Sequence, residues 1–386
     1  MAGGAPARLC RLSIRDFRNL ERVDLEPPGG GMLLVGDNGQ GKTNFLEAIY
    51  YLQLLRSIRG ARDQDLVRFG ANGFHVGADI HSDRASTIGV GFERAGRRKR
   101  VRLDGAVCER LSDALGALPA VMFSPADVDL VGGSPSARRR YLDIMLAVTS
   151  RGYLLALQRY RAALVRRNAA LRDAARQSAT RADARAAVWE SPLAEHGAVV
   201  WAERTAWVEE SRARFTELCG LIGESGAVTF RYASTVAQQE PNADRRAALA
   251  AALEAQRASD VRFGLTRAGP HRDDLLITLD AGDGMPRDLR AFGSAGQQRT
   301  AAIALRLLEA ETLRDRRGGS PLFLLDDPFA ELDARRAARI VNLLSNEAGG
   351  AGLEQTILAV PRESDIPSGM PRLERFRITG GAIRRD

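Results

Sequence analysis

MLLVGDNGQGKTNFLEAIY, residues Met32 to Tyr50, joins a short apolar run to a helical pattern through one glycine-rich turn. Met32 to Val35 suits a buried strand, and Asn44 onward suits a helix. The turn, Gly36-Asp37-Asn38-Gly39-Gln40-Gly41-Lys42-Thr43, matches G-x-x-x-x-G-K-[ST] in full. The spacing follows from phosphate chemistry. Glycines let the backbone curl so that successive N–H groups point inward at phosphate oxygens. The next helix turns its positive end to the same anion. Lys42 supplies a point charge for the outer phosphates, and the Thr43 hydroxyl can ligate Mg²⁺. The stretch predicts a nucleotide-binding loop.

At 386 residues, the chain is long enough for two or three cores. A net charge of +8 favours polyanionic partners, nucleic acid first and an acidic membrane surface second. Fifty-four of the 56 basic residues are arginines, so compositional bias competes as the source of that charge. Cys10, Cys108 and Cys219 are odd in number and far apart, which argues against a disulfide framework and for a reducing compartment. His75, His81, His196 and His271 show no metal-ligand spacing relative to them. Neither a signal peptide nor a membrane-length apolar run is present, so a cytoplasmic protein is expected.

Working outward, Leu9 to Phe17 alternates like a half-buried strand, with Val23 to Leu25 as its hairpin partner. Short strand patterns fill 74–107, with the basic run 96–100 (GRRKR) at a hairpin tip, either a solvated turn or a nucleic-acid contact. Near residue 124 the composition shifts to Ala, Arg, Leu and Glu, and Tyr153, Leu154, Leu157, Tyr160 and Leu164 recur at helical spacing. This predicts three or four helices inserted over about 100 residues. Their arginines, Arg159, Arg161, Arg166, Arg167, Arg172 and Arg176, either follow a phosphate backbone or form the wet face of a bundle. Strand pattern returns at Ala227 to Tyr232 and Asp274 to Leu279.

Pro321 to Leu325 is apolar throughout, as a buried parallel strand requires, and it runs into Asp326-Asp327. Asp326 is placed to hold Mg²⁺ and Asp327 to orient or activate the attacking water. Ser294-Ala-Gly-Gln-Gln-Arg299 opens a helix at a second anion-seeking end, which alone is only an N-cap. Ser294 completing another subunit's nucleotide site would explain it.

The order P-loop, helical insertion, S-x-G-Q-Q, apolar-Asp-Asp and A-E-L-D resembles the ABC-type ATPase head shared by SMC proteins and their DNA-repair relatives. Within that group the chain resembles the RecF family. The likeness is carried by 12–20 (LSIRDFRNL), 65–70 (DLVRFG), 123–127 (FSPAD), 133–143 (GSPSARRRYLD), 269–274 (GPHRDD) and 294–300 (SAGQQRT). It implies an α/β fold: a P-loop ATPase head, with a mixed sheet plus a parallel core sheet, and an inserted α-helical arm. The expected parts are 1–123 (head with the P-loop), 124–225 (arm) and 226–386 (head with signature and second carboxylate motif).

The same resemblance implies a weak, DNA-stimulated cytoplasmic ATPase that acts at single-strand gaps and stalled forks. Such a protein helps load recombinase with RecO and RecR and supports the SOS response. ATP and Mg²⁺ are its cofactors, sandwiched between two heads of a homodimer. Carried over, Gly36, Asp37, Asn38, Gly39, Gln40, Gly41, Lys42 and Thr43 bind nucleotide, with Arg59 as an arginine-loop candidate. Thr43 and Asp326 hold Mg²⁺, and Lys42 and Asp327 serve the chemistry. Ser294, Gly296 and Gln297 reach the partner's γ-phosphate.

Departures from the pattern are informative. Asp327 stands where most such heads have glutamate, and Ala359-Val360-Pro361 offers no switch histidine, which together suggest slow turnover. For the glutamine loop, Gln53 and Gln64 both remain open. His271 reads as structural rather than catalytic. A transporter's ATP subunit would lack the basic insertion, and an overcoming-lysogenisation nuclease would need a longer tail after Asp333.

Overall fold

Four short stretches, Gly31–Val35, Ala120–Phe123, Leu322–Asp326 and Thr356–Val360, are buried at every residue. Strands with no polar face need cover on both sides, the condition of a parallel core sheet. In the structure, a computed structural model, all four are neighbours in one six-stranded sheet. Its order is Ala382–Arg385, Glu374–Thr379, Gly31–Val35, Thr356–Val360, Leu322–Asp326, Ala120–Phe123. Only the Ala382–Arg385 edge strand is antiparallel. The structure describes residues 6–176, 185–236, 244–330, 332–344, 354–370 and 372–386. Glu331 of the A-E-L-D run and the Arg176 side chain lie outside them.

The chain divides into two compact units. The first comprises Met1–Val128, Leu218–Ser225 and Ser294–Asp386 and holds the core sheet. It also holds a six-stranded antiparallel sheet, ordered Leu20–Leu25, Arg8–Phe17, Gly73–His81, Thr87–Glu93, Arg98–Leu103, Ala106–Val107. The expected hairpin partner is there, with Ile14 opposite Val23. Between the two sheets runs the Lys42–Leu54 helix, which contacts strands of both. That position explains why it is buried on nearly every face instead of carrying one apolar stripe. Phe17, Tyr51 and Phe74 meet edge-to-face at 5.3–5.9 Å, pinning helix to sheet by about 0.5–1.5 kcal/mol per pair.

The second unit comprises Asp129–Glu217 and Gly226–Gly293. Its long helices are Pro135–Thr149, Arg151–Arg176, Arg245–Phe263 and most of Glu190–Ile222. Tyr160, Leu193, Trp201, Leu249 and Leu253 form its buried cluster. This differs from the division expected from composition, which assigned 226–293 to the head. The strands at Ala227–Ala233 and Asp274–Asp280 pair with each other, Phe230 opposite Ile277, in a separate three-stranded sheet with Arg287–Asp288. Composition signals strand or helix, but not which sheet a strand joins.

Several arginines offered as a phosphate-tracking face have other work. Arg167 is fully buried, bonded to Asp260 at 2.6 Å and Glu190 at 3.0 Å. Arg166 lies over Trp189. Lys99, in the basic run at 96–100, pairs with Asp63 at 2.7 Å and donates to the Leu55 carbonyl. That hairpin run is therefore partly structural.

Candidate nucleotide site

The loop between the Gly31–Val35 strand and its helix takes a conformation that its glycines make possible. Gly39 and Gly41 have φ of 80° and 114°, in the left-handed range that favours glycine. A Cβ at Gly41 would also lie 2.7 Å from the Asn19 side chain. Asn19 braces the loop by donating to the Gln40 carbonyl (3.1 Å) and accepting from Asn44 (2.9 Å). The C-terminal hairpin adds two bonds: Gly381 N–H to the Gln40 carbonyl at 2.9 Å and Gly380 N–H to its side chain at 2.6 Å. Neither Asn19 nor this hairpin was singled out from sequence, because each lies far along the chain from the loop it supports.

Lys42 is almost wholly buried, and its ammonium donates to the Gly36 carbonyl at 2.5 Å and the Asp37 carbonyl at 3.0 Å. Burial pulls its pKa down, while Asp326, Asp327 and Asp37 support its charge. Across the sheet the Thr43 hydroxyl donates to Asp326 at 2.7 Å. One strand, Thr356–Val360, separates the loop strand from the Asp326 strand. Burial raises the Asp326 pKa, and the Thr43 hydroxyl, Lys42 and Arg59 work against it. Asp327 follows with φ of 47°, and its N–H is held by the Ala359 carbonyl at 2.8 Å. A non-glycine residue in that region stores strain and marks a constrained turn.

Arg59 reaches the loop helix through Glu47 (2.7 Å) and Asn44 (2.7 Å). Glu47 is fully buried and also accepts from Arg18 and Ser57. It holds Arg59 beside the loop, and as a lone carboxylate in the apolar run FLEAIYYL it is the signal the sequence offered. Gln53 does different work from a glutamine loop: its side-chain oxygen accepts the Ala120 N–H inside the core.

Ser294 caps the Ala295–Arg317 helix in a reciprocal capping box with Gln297. Gln297 also donates to Glu224 at 3.2 Å, and Glu224 faces Arg336 at 3.7 Å. A Cβ at Gly296 would sit 3.0 Å from a terminal nitrogen of the Arg336 guanidinium, a tight contact that the flexible arginine could relieve only by shifting slightly. Helix end, Gly296 and Arg336 form one surface element.

The donor set at Thr43 and Asp326 is one hydroxyl and one carboxylate. Among the described residues no cluster of three or more His, Cys, Asp or Glu could hold a metal by itself. Mg²⁺ keeps several waters and is held through one or two carboxylates plus substrate phosphates, so these two residues fit it. Among the described residues no helix is long and apolar enough to cross a membrane.

A P-loop and a following carboxylate two strands away on a parallel sheet, with a capped S-x-G-Q-Q helix end, define an ABC-type ATPase head. Residues 8–358 match the family model "RecF/RecN/SMC N terminal domain". The DNA replication and repair protein RecF of Frankia alni is 38% identical over 390 residues, covering 98% of this chain and 99% of that one. RecF of Roseiflexus castenholzii is 37% identical, covering 96% and 98%. A solved structure of the recombination mediator protein RecF-ATPrS in the RecFOR pathway aligns with a TM-score of 0.87 at 28% identity over the full length of both chains. An SMC head domain from Pyrococcus furiosus shares the fold, with a TM-score of 0.55 at 15% identity. The chain belongs to the RecF family and is an ABC-type ATPase.

Proposed function

We propose that the protein is an ATP-dependent DNA clamp of recombinational repair, closing as a homodimer on gapped DNA and at stalled forks. The 2.7 Å contact between Thr43 and Asp326 carries the reading, because it joins the loop and the second carboxylate motif at one point. In this reading Gly36 to Thr43 cradle the phosphates, and Arg59 screens their charge. Thr43 and Asp326 hold Mg²⁺, which when bound neutralises phosphate charge and polarises the γ-phosphoryl group. Asp327 orients and deprotonates the attacking water. Ser294, Gly296 and Gln297 complete the partner subunit's site, so ATP glues the heads only while the γ-phosphate is intact.

The missing switch histidine and the shorter Asp327 support weak, switch-like hydrolysis stimulated by DNA. Relatives named as DNA replication and repair proteins, together with the charge of +8, support DNA as partner. The RecFOR pathway of the solved relative supports mediator partners of RecO and RecR type and recombinase loading. SOS induction and a cytoplasmic setting are carried over from the family resemblance alone.

The experiment is the solution mass of Asp327→Asn with Mg²⁺ and ATP, against ADP, with and without gapped DNA. A dimer with ATP alone, abolished by Ser294→Arg, is expected. A monomer under every condition would sink the clamp.

A further inference from the structure

Two of the sequence blocks that mark the family, 133–143 and 269–274, have no part in the nucleotide site. In the second unit they meet. Arg138 grips Asp274 with two bonds of 2.8 Å, and Arg139 donates to the Asp273 carbonyl at 2.8 Å. Arg204 donates to the Pro270 carbonyl at 2.7 Å and to Asp143 at 2.6 Å. His271 is locked from both sides: its Nε2 faces the Thr266 carbonyl at 2.9 Å, so that nitrogen carries the proton. Nδ1 then accepts from the Tyr160 hydroxyl at 2.6 Å. Burial depresses the His271 pKa to about 4, so the ring is neutral at ordinary pH.

These residues surround a cleft of about 170 Å³, large enough for one phosphate group or several waters. Arg139, Arg140, Arg161 and Arg204 line it, and Asp143 is the one carboxylate in the lining. Asp143 is already fully engaged, accepting from Tyr153 (2.5 Å), Arg161 (2.6 Å) and Arg204 (2.6 Å). Among the described residues Arg139 forms no direct ion pair, and the more distant Asp274 and Asp143 charges only partly support it. Burial, and next the Arg204 charge, pull its pKa below the usual guanidinium value. Crowded, partly desolvated guanidinium groups with one saturated carboxylate are what a bound anion would relieve, and their planar forks match phosphate oxygens. Ser136, at the start of the Pro135–Thr149 helix, lines the same cleft, and no side-chain bond caps that helix end.

We infer that this cleft is a phosphate-binding site separate from the P-loop, with Arg139 and Arg161 as its principal ligands. The phosphate comes either from a nucleic-acid strand or from a free phosphate compound. The site does not depend on the proposed ATP-driven clamp.

The test fills the P-loop with ADP and Mg²⁺, then titrates inorganic phosphate and, separately, oligothymidylate by calorimetry. Repeating it in Lys42→Ala removes any contribution from the loop. Arg139→Gln/Arg161→Gln is expected to weaken binding at least about tenfold, the loss of one charge-assisted bond, while ADP affinity is unchanged. Loss confined to inorganic phosphate assigns a free phosphate ligand. Loss confined to the oligonucleotide, with a shallower salt dependence, assigns a strand phosphate. Should the double variant fail to fold, Ser136→Glu puts a negative charge at an exposed rim position and is read the same way. Folded variants that bind both probes as the wild type does would overturn the inference.

Discussion

Thr43 donates its hydroxyl proton to the Asp326 carboxylate across 2.7 Å, although the two stand 283 positions apart in the chain. The contact is a product of the sheet: the Gly31–Val35 and Leu322–Asp326 strands flank Thr356–Val360, so their carboxyl ends emerge side by side. Asp326→Asn keeps the size and loses the charge that the ammonium of Lys42 and the metal need. ATP turnover should fall by about 100-fold or more, with the fold intact. Burial already works against the Asp326 carboxylate, so the neutral amide should cost little stability. Turnover within a few-fold of wild type would remove Asp326 from the site.

Asp327 makes a second, separable prediction. Its φ of 47° is tolerable for aspartate and asparagine and free for glycine. Asp327→Asn should therefore melt close to wild type while hydrolysing ATP far more slowly. Asp327→Gly should be equally inactive, yet more stable by up to about 1 kcal/mol through release of backbone strain, less the entropy glycine adds to the unfolded chain. Thermal melts beside single-turnover hydrolysis separate the two effects. If both variants lose stability alike, the turn is not strained.

What could be read in advance depended on distance along the chain. The loop at 36–43, the Asp326-Asp327 pair and the Ser294 helix end are local patterns, because phosphate chemistry fixes their spacing within a few residues. The braces were not readable. Asn19 and Gly381 matter through a loop they meet only in the folded head, and Glu224 matters through Gln297 and Arg336. The second boundary of the arm failed for a related reason. Val228 and Phe230 alternate as any half-buried strand does, and nothing local says that their partner is Leu275–Leu279 rather than the core sheet. The arginines of the insertion show the same limit, since Arg159 and Arg167 look alike in sequence yet one is exposed and the other fully buried.

Arg138 and Asp274 supply a stability prediction for the second unit. Arg138 is 4% exposed and holds Asp274 through two bonds, while its remaining nitrogen serves the Val131 and Gly133 carbonyls. Arg138→Met leaves a carboxylate without its cation in a largely dry place and should cost about 3–5 kcal/mol. Asp274→Asn in that background should recover part of the loss, because the stranded charge is removed. Denaturant melts of the two single variants and the double variant give the coupling. Simple additivity would mean that the pair is solvated and unimportant.

His271 predicts how the second unit responds to acid. Its pKa is lowered to about 4 by burial first; Arg272 and Arg139 push the same way, and the Thr266 carbonyl and Asp273 oppose them. In the unfolded chain the ring returns to about 6.5. Between those values the unfolded chain binds more protons than the folded one, so stability falls as pH drops from about 6.5 towards about 4. The slope from this one group is at most about 1.4 kcal/mol per pH unit. Above the unfolded value the neutral ring's contribution is fully present. His271→Gln removes the titration but keeps a donor and an acceptor for Thr266 and Tyr160. At about pH 8 the variant should be less stable by about 1–2 kcal/mol, from poorer hydrogen bonds. At about pH 5 that deficit should shrink or vanish, since only the wild type bears the protonation cost. Other titrating groups act on both proteins and cancel in the comparison. Thermal midpoints at the two pH values decide it, and a deficit that is constant or grows on acidification would show that His271 is not buried as a neutral ring.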